Sequence, residues 1–219
     1  MTLISKVVSV VFQPLFLPIY AFLLYVTIDH HSTILIRSEQ AIVQFNYILS
    51  IQILLAVIIP IGSLYVMYRS NMITSLSLPD RKERIPVLII TLFYYLLTYY
   101  FLRKIHVNNL DFLGAFMSFL SGGIILSGLC LLITFFWKIS IHAIGISGLA
   151  GAFLGFSELL FPVQNEDEIT IINILLLLLV GVICSARLHL KAHSFLQIIA
   201  GLTLGFLVEY FIVSEGFWL

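Results

Sequence analysis

Charged side chains are scarce in this chain. Asp, Glu, Lys and Arg together make up 10% of its 219 residues, whereas hydrophobic residues make up 61%. Soluble domains carry roughly 25% charged residues, and no water-soluble core could bury so large an apolar fraction, so we predict a multi-pass membrane protein. The formal net charge is zero, which gives no electrostatic reason to expect a nucleic-acid partner.

Cysteines and dense acidic segments are also few. The two cysteines, Cys130 and Cys184, lie in apolar runs and are expected to act as small hydrophobic side chains of helices. The first apolar run contains two prolines and no evident small-residue cleavage site, so we expect it to be a membrane span rather than a removed signal. No composition shift or repeat marks a second domain, so residues 1–219 are predicted to form a single membrane domain.

Long apolar runs dominate what is present. A membrane-spanning helix needs about 20 mostly apolar residues, and the strands of a membrane barrel would alternate instead of being continuously apolar. Runs of the helical kind lie at about 7–28, 45–68, 87–103, 111–137, 139–161, 170–186 and 194–214. We therefore predict an all-α polytopic membrane bundle of six to seven transmembrane helices. Six is possible because the third run is short and the fourth and fifth nearly touch.

Glycines recur at helical spacing in two of these runs. The fifth run contains Gly151-xxx-Gly155, and the seventh contains Gly201-xxx-Gly205. Small residues at this spacing let two membrane helices approach closely. The fifth and seventh spans are therefore predicted to pack against each other.

Three polar clusters interrupt the apolar pattern. They read PDRKERIP at 79–86, KISIH at 138–142 and ARLHLKAH at 186–193. Two spans separate each cluster from the next, so the chain returns each time to the same side, and all three clusters should lie at one membrane face. The first cluster is expected to close a loop over 69–86, with Pro79 and Pro86 as its breaks.

Lysine and arginine divide unevenly between the two faces. If the N-terminus lies on the cluster side, eight of the eleven fall there, and the positive-inside rule makes that side cytoplasmic. Residues that bind an anion are poor reporters of topology, however, so both orientations stay open.

The histidines of these clusters need an explanation. His142 and His193 fall just inside apolar runs, where a polar side chain needs a partner or a function. Arginine forks bind phosphate oxygens at two points, and free N–H groups at a helix start attract anions. One histidine could attack phosphorus while a second protonates the leaving oxygen. The clusters therefore favour a phosphate site over ordinary basic loops.

The order and spacing of these residues resemble the type 2 phosphatidic acid phosphatase family, the lipid phosphatases related to vanadium haloperoxidases. The motifs of that family are K-x6-R-P, then S-G-H, then S-R-x5-H-x3-D. The matching positions in this chain are Arg84 with Pro86, Ser140 with His142, and Arg187 with His193 and Gln197. The resemblance covers about residues 79–205.

The resemblance implies an integral membrane lipid-phosphate phosphatase, a phosphoric monoester hydrolase that acts through a phosphohistidine. His193 would be the nucleophile and His142 the general acid, and no metal or other cofactor would be needed. The phosphate oxygens would be held by Arg187, Arg84, Ser140 and Lys82. The substrate would be a membrane lipid such as phosphatidate, phosphatidylglycerol phosphate or a polyprenyl phosphate. The resemblance also implies the bacterial inner membrane, where many relatives work at the outer face.

No motif of the family is intact in this chain. The departures are Gln197 for Asp, Ala186 for Ser, Ile141 for Gly and Ser77 for Lys. At a spacing of four, His193 and Gln197 are predicted to share one face of a helix. A glutamine oxygen can orient the imidazole but supplies no charge, and Asp80 or Glu83 could supply a carboxylate across the loop.

Three interpretations therefore stay open. The first is an active phosphatase with an altered relay. The second is a catalytically impaired relative that binds phospholipid headgroups or acts as a membrane partner protein. A carboxylate within hydrogen-bond reach of His193 would favour the first, and its absence the second. The third is a metal site formed by His142, His189 and His193.

Overall fold

The computed structural model describes residues 2–28, 39–109, 113–159 and 166–217, which are helical throughout apart from short connections and contain no strand. The first span consists of α1 (Thr2–Val11), a 3₁₀ turn (Pro14–Phe16) and α2 (Leu17–Ile28). The second consists of α3 (Glu39–Ile51), a π-helical segment (Gln52–Ile58) and α4 (Ile59–Arg69). Single helices form the other spans: α5 (Arg81–Asn109), α6 (Gly114–Thr134), α7 (Ile141–Leu159), α8 (Glu166–His189) and α9 (Phe195–Ser214).

Seven helices in the described ranges are long and apolar enough to cross a membrane. The predicted all-α polytopic membrane bundle is therefore confirmed. Of the predicted six to seven transmembrane helices, the described ranges contain seven candidates. Spans four and five lie at the centre, because 56% and 67% of their apolar windows are buried against 22–28% in the other spans. Most of the remaining apolar surface faces outward, as a bilayer requires.

The third span begins earlier than its apolar run. Helix α5 starts at Arg81 and contains Pro86, and α4 includes Arg69, so the predicted loop over 69–86 is wrong for its first residue and its last six. The physical reason is a cap, since the Asp80 carboxylate accepts the backbone N–H of Lys82 at 3.0 Å and so satisfies a donor that a helix start leaves free. This start places the basic residues of the first cluster on a helix.

The fifth and seventh spans pack closely through glycine, as predicted. A Cβ atom at Gly151 of α7 would overlap the carbonyl oxygen of Phe206, and one at Gly205 of α9 would overlap that of Ile144. A Cβ at Gly201 would lie 2.9 Å from the carbonyl oxygen of Ser140. These contacts fix the start of α9 against the start of α7, where two of the polar clusters lie.

Candidate functional site

The three polar clusters meet at one end of the bundle. Arg84 of α5 is 5% exposed, and its Nη1 donates to the carbonyl oxygen of Ile139 at 3.2 Å. The backbone N–H of Ser140 donates to the carbonyl oxygen of Gln197 at 3.4 Å. The first cluster therefore contacts the second, and the second contacts the third, so all three lie at one end of the bundle, as expected for clusters at one membrane face.

Three cations gather where the clusters meet. The pKa of the Lys138 ammonium is lowered, first by burial and then by the positive charges of Arg84 and Arg187. Asp80 acts in the opposite direction on the same ammonium. We call Arg84, Lys138 and Arg187 the basic triad. Lys138 was not among the predicted site residues, although its place in KISIH, two residues before Ser140, was a usable signal.

No carboxylate of the described residues forms an ion pair with the basic triad, although Asp80 acts on Lys138 from a longer distance. Arg84 donates to two backbone carbonyls, those of Ile139 and of Leu78 at 3.0 Å. The Nε of Arg187 is buried and has no hydrogen-bond partner within the described ranges. No carboxylate of the described residues bonds either guanidinium. Because a buried cation without a counter-ion is costly, the triad is suited to receive an anion.

His193 lies beside the triad and is 7% exposed. It precedes Ser194, which caps α9, and its Nδ1 lies 3.1 Å from Oε1 of Gln197. The two residues therefore do not share a helix face, and that part of the prediction is wrong. They meet because Ser194 and Gln197 form a capping box, in which each side chain accepts the other's backbone N–H, at 3.4 Å and 3.1 Å.

The capping box fixes the tautomer of His193. The backbone N–H of Ser194 can only donate, so the Gln197 atom that receives it must be the oxygen. That oxygen can only accept from the imidazole, so Nδ1 of His193 carries the proton and the lone pair of the neutral ring lies on Nε2. Burial, followed by the charges of Arg84 and Arg187, lowers the pKa of His193 to about 3. His193 is therefore neutral at physiological pH, with Nε2 available as a nucleophile.

This protonation state can be measured. The pKa of His193 lies below the ordinary 6.5, so the neutral ring should persist as the pH falls from 6.5 towards 3. In ligand-free protein we expect the ¹⁵N signals of His193 to be those of the Nδ1-protonated neutral ring at about pH 5, where an ordinary histidine is mostly charged. Spectra of His193→Gln assign the signals. A charged ring at that pH without ligand would contradict the arrangement, and bound phosphonate should raise the pKa.

His142 and Ser140 make contacts that the motif did not predict. The Nε2 of His142 lies 3.0 Å from the carbonyl oxygen of Ser9 in α1, so Nε2 carries the proton. This oxygen is free because α1 ends before Pro14, and Gln13 donates to Val10 instead. The Ser140 hydroxyl is buried and accepts the N–H of Ala143 at 3.4 Å, which caps α7.

The other predicted site residues lie outside this arrangement. Lys82 is exposed, and the bond that it makes comes from its backbone. Asp80 caps α5, and Glu83 accepts the backbone N–H of Thr74 at 2.9 Å. Within the described part of the chain, neither carboxylate bonds His193.

A metal site finds no support among these residues. His189 is exposed, and the described ranges contain no group of three His, Cys, Asp or Glu side chains placed to hold a metal ion.

Two clefts accompany the site. One, of about 350 Å³, opens between α7, α8 and α9 and is lined by Ser147, Ala150, Leu177, Val180, Leu202, Thr203, Phe206 and Leu207. The other, of about 260 Å³, follows α4 and is lined by Tyr68, Arg69, Asn71, Ile73 and Thr74. Neither cleft contains a member of the basic triad. The first cleft lies between α7, α8 and α9, the helices that contain His142, Arg187 and Gln197 of the site.

No protein-family model, no curated protein and no solved structure matches this chain. The function is therefore argued from the geometry of the site.

Proposed function

We propose that this protein binds a lipid phosphate at the basic triad and removes its phosphate through His193. The observation that carries the proposal is a buried, neutral imidazole whose proton is held on Nδ1, next to three cations, of which the two guanidiniums bond no carboxylate of the described residues. Cations placed in this way bind a phosphate dianion and stabilise the charge of its transition state.

The reaction would proceed in two steps. In the first, Nε2 of His193 forms a bond to phosphorus while the bond from phosphorus to the lipid oxygen breaks, and that oxygen takes up a proton. In the second, water attacks the phosphohistidine, releasing inorganic phosphate and restoring the imidazole. His142 can supply the proton of the first step only as the imidazolium, by giving up its Nδ1 proton while Nε2–H stays on the Ser9 carbonyl, and it takes a proton back from the attacking water in the second step.

The cleft between α7, α8 and α9 supports a lipid as the substrate. Ser147 lies six residues into the membrane from Ile141, and Val180 lies seven residues before Arg187, so each is about 10 Å along its helix from the site. Six of the eight lining residues are apolar. One molecule could therefore place its phosphate at the triad and an acyl or prenyl chain in the cleft.

Filling this cleft should impair long-chain substrates selectively. Thr203 lines the cleft and is exposed, so Thr203→Trp would occupy its space without disturbing the core. We expect release from a long-chain lipid phosphate to fall about tenfold, because one blocked chain segment is worth roughly 1–3 kcal/mol. Release from a short, soluble phosphate ester should not change. Val182, which is 51% exposed outside the cleft, gives the control Val182→Trp. Equal losses on both substrates would contradict a chain-binding cleft.

A second candidate is a protein that binds phospholipid headgroups without turnover. The observation in its favour is that the partner of His193 is Gln197, which is neutral, and that the described residues offer His193 no carboxylate. A neutral partner orients the imidazole but does not stabilise positive charge on it. In a serine protease the related Asp→Asn change costs about 10⁴ in rate.

One experiment separates the two candidates. Purified protein in liposomes is given phosphatidate, phosphatidylglycerol phosphate and a polyprenyl phosphate, and both phosphate release and binding of a non-hydrolysable phosphonate lipid are measured. Phosphate release identifies a phosphatase, and binding without release identifies the second candidate. If the protein neither releases phosphate nor binds the phosphonate lipid, both candidates are overturned. Gln197→Glu is the informative variant, because Glu preserves the capping box and places a carboxylate beside His193. A raised rate in this variant would show that charge is what limits the reaction.

A further inference from the structure

A buried carboxyl group lies far from the site described above. Glu209 of α9 is 2% exposed. It lies fourteen residues beyond Phe195, the first residue of α9, and is therefore about 21 Å along the helix from the basic triad. The proposed phosphate chemistry does not use it. An ionisable side chain at such a depth in a membrane bundle is costly and usually functional.

Glycines of two other spans make the space that this carboxyl occupies. A Cβ atom at Gly122 of α6 would overlap both carboxyl oxygens of Glu209. A Cβ at Gly148 of α7 would lie 3.1 Å from its Cγ, and one at Gly123 would lie 3.9 Å from its Oε1. We call this space, bounded by Gly122, Gly123 and Gly148, the glycine niche.

No charged side chain among the described residues of the surrounding helices compensates the carboxyl. Its Oε2 is buried and has no hydrogen-bond partner within the described ranges. The titratable groups of α6 and α7 in the described ranges are Cys130, His142 and Glu158, each six or more residues along its helix from the niche. On α9 itself, Tyr210 donates to Glu158 at 2.9 Å. A carboxylate anion in the niche would therefore be desolvated and unpaired, whereas a neutral carboxyl lacks only hydrogen bonds.

We propose that Glu209 and the glycine niche form a proton-binding site within the membrane. The carboxyl group holds a proton while spans four, five and seven are packed together. It can release that proton only when the niche opens to water or a cation, so the packing of these three spans and the proton are thermodynamically linked. The ligand is a proton and not a metal ion, because the described ranges contain no group of three His, Cys, Asp or Glu side chains placed to hold a metal ion, and the titratable groups of α6 and α7 lie six or more residues from the niche.

Infrared spectroscopy of the protein in bilayers tests this site directly. A protonated carboxylic acid in an apolar environment has its own carbonyl band, separate from the carboxylate bands. We expect this band at neutral and mildly alkaline pH in the wild type, and its loss in Glu209→Gln, a neutral side chain of the same shape. Glu158→Gln should keep the band, because Glu158 lies at the bundle surface. A wild type without the band, or a band that survives in Glu209→Gln, would overturn the proposal.

Niche variants keep the test independent of that one substitution. Gly122→Ala would place a methyl group where the carboxyl lies, so the band should shift or disappear, whereas Gly128→Ala on the same helix meets nothing within 4 Å and should leave it unchanged. If Glu209→Gln does not fold, the carbonyl band of the wild type is followed as the pH rises. We expect this band to persist until the protein unfolds. Disappearance of the band in folded protein at neutral pH would contradict a held proton.

Discussion

Replacing His193 with alanine is expected to abolish phosphate release, by at least about 10³-fold, since removal of a catalytic nucleophile typically costs that much or more. The variant loses Nε2, the atom proposed to bond phosphorus, while the basic triad stays in place. The measurement is inorganic phosphate released from a lipid phosphate in liposomes. Binding of a phosphonate lipid should persist in the variant, and this separates lost chemistry from lost folding.

The chain offers a matched control for this substitution. His189 lies four residues earlier and is exposed, so His189→Ala should release phosphate at the wild-type rate. If His193→Ala stays within about tenfold of the wild type, His193 is not the nucleophile. A phosphoryl group trapped on the wild type but absent from His193→Ala would identify the intermediate.

The two spans between successive clusters predicted that the clusters would lie on the same side, but not how their atoms are used. Arg187 and His193 were identified from five intervening residues, and both lie at the site. The predicted role of Gln197, to orient the imidazole through its oxygen, agrees with the 3.1 Å contact to Nδ1 of His193, but its second role in capping α9 was not predicted. The signal was present in the sequence: Ser194-x-x-Gln197 ahead of an apolar run is the signature of a capping box.

The start of α5 carried a similar signal. Asp80-x-x-Glu83 precedes the third apolar run, and an acidic cap followed three residues later by Glu typically opens a helix. Hydropathy alone missed it, because four charged residues at the start of the helix lower the local average. The sequence therefore predicted the spans from their apolar centres, while their ends depended on capping contacts that hydropathy does not measure.

Contacts between helices distant in sequence could be predicted only in part. The pairs Gly151-xxx-Gly155 and Gly201-xxx-Gly205 each lie on one helix, so their spacing was visible. The glycine niche is formed by glycines of two helices around a side chain of a third. No pattern within a single segment of the sequence predicts it. The contact of His142 with Ser9 likewise depends on where α1 ends and which span it lies beside.

Replacing Gly205 with alanine should destabilise the bundle by about 3 kcal/mol, near the upper end of what overpacking costs. The new Cβ would overlap the carbonyl oxygen of Ile144 and the hydroxyl of Ser147. The carbonyl belongs to the backbone of α7 and cannot rotate away, so α9 must move. For a chain of this length the loss corresponds to a fall in Tm of roughly 10 °C. The buried thiols Cys130 and Cys184 report unfolding through a thiol-reactive dye.

The same displacement should reach the proposed active site, because Gln197 at the start of α9 contacts both Ser140 and His193. Ser140 donates to the carbonyl of Gln197, and Gln197 orients His193, so moving α9 away from α7 separates the phosphate site from its nucleophile. Phosphate release by Gly205→Ala should therefore be reduced even at temperatures below the Tm of this variant, at which it is still folded. Gly181→Ala is the control, since a Cβ there meets nothing within 4 Å and alanine favours a helix by up to about 1 kcal/mol. Equal Tm values for the two variants would show that α7 and α9 do not pack at Gly205.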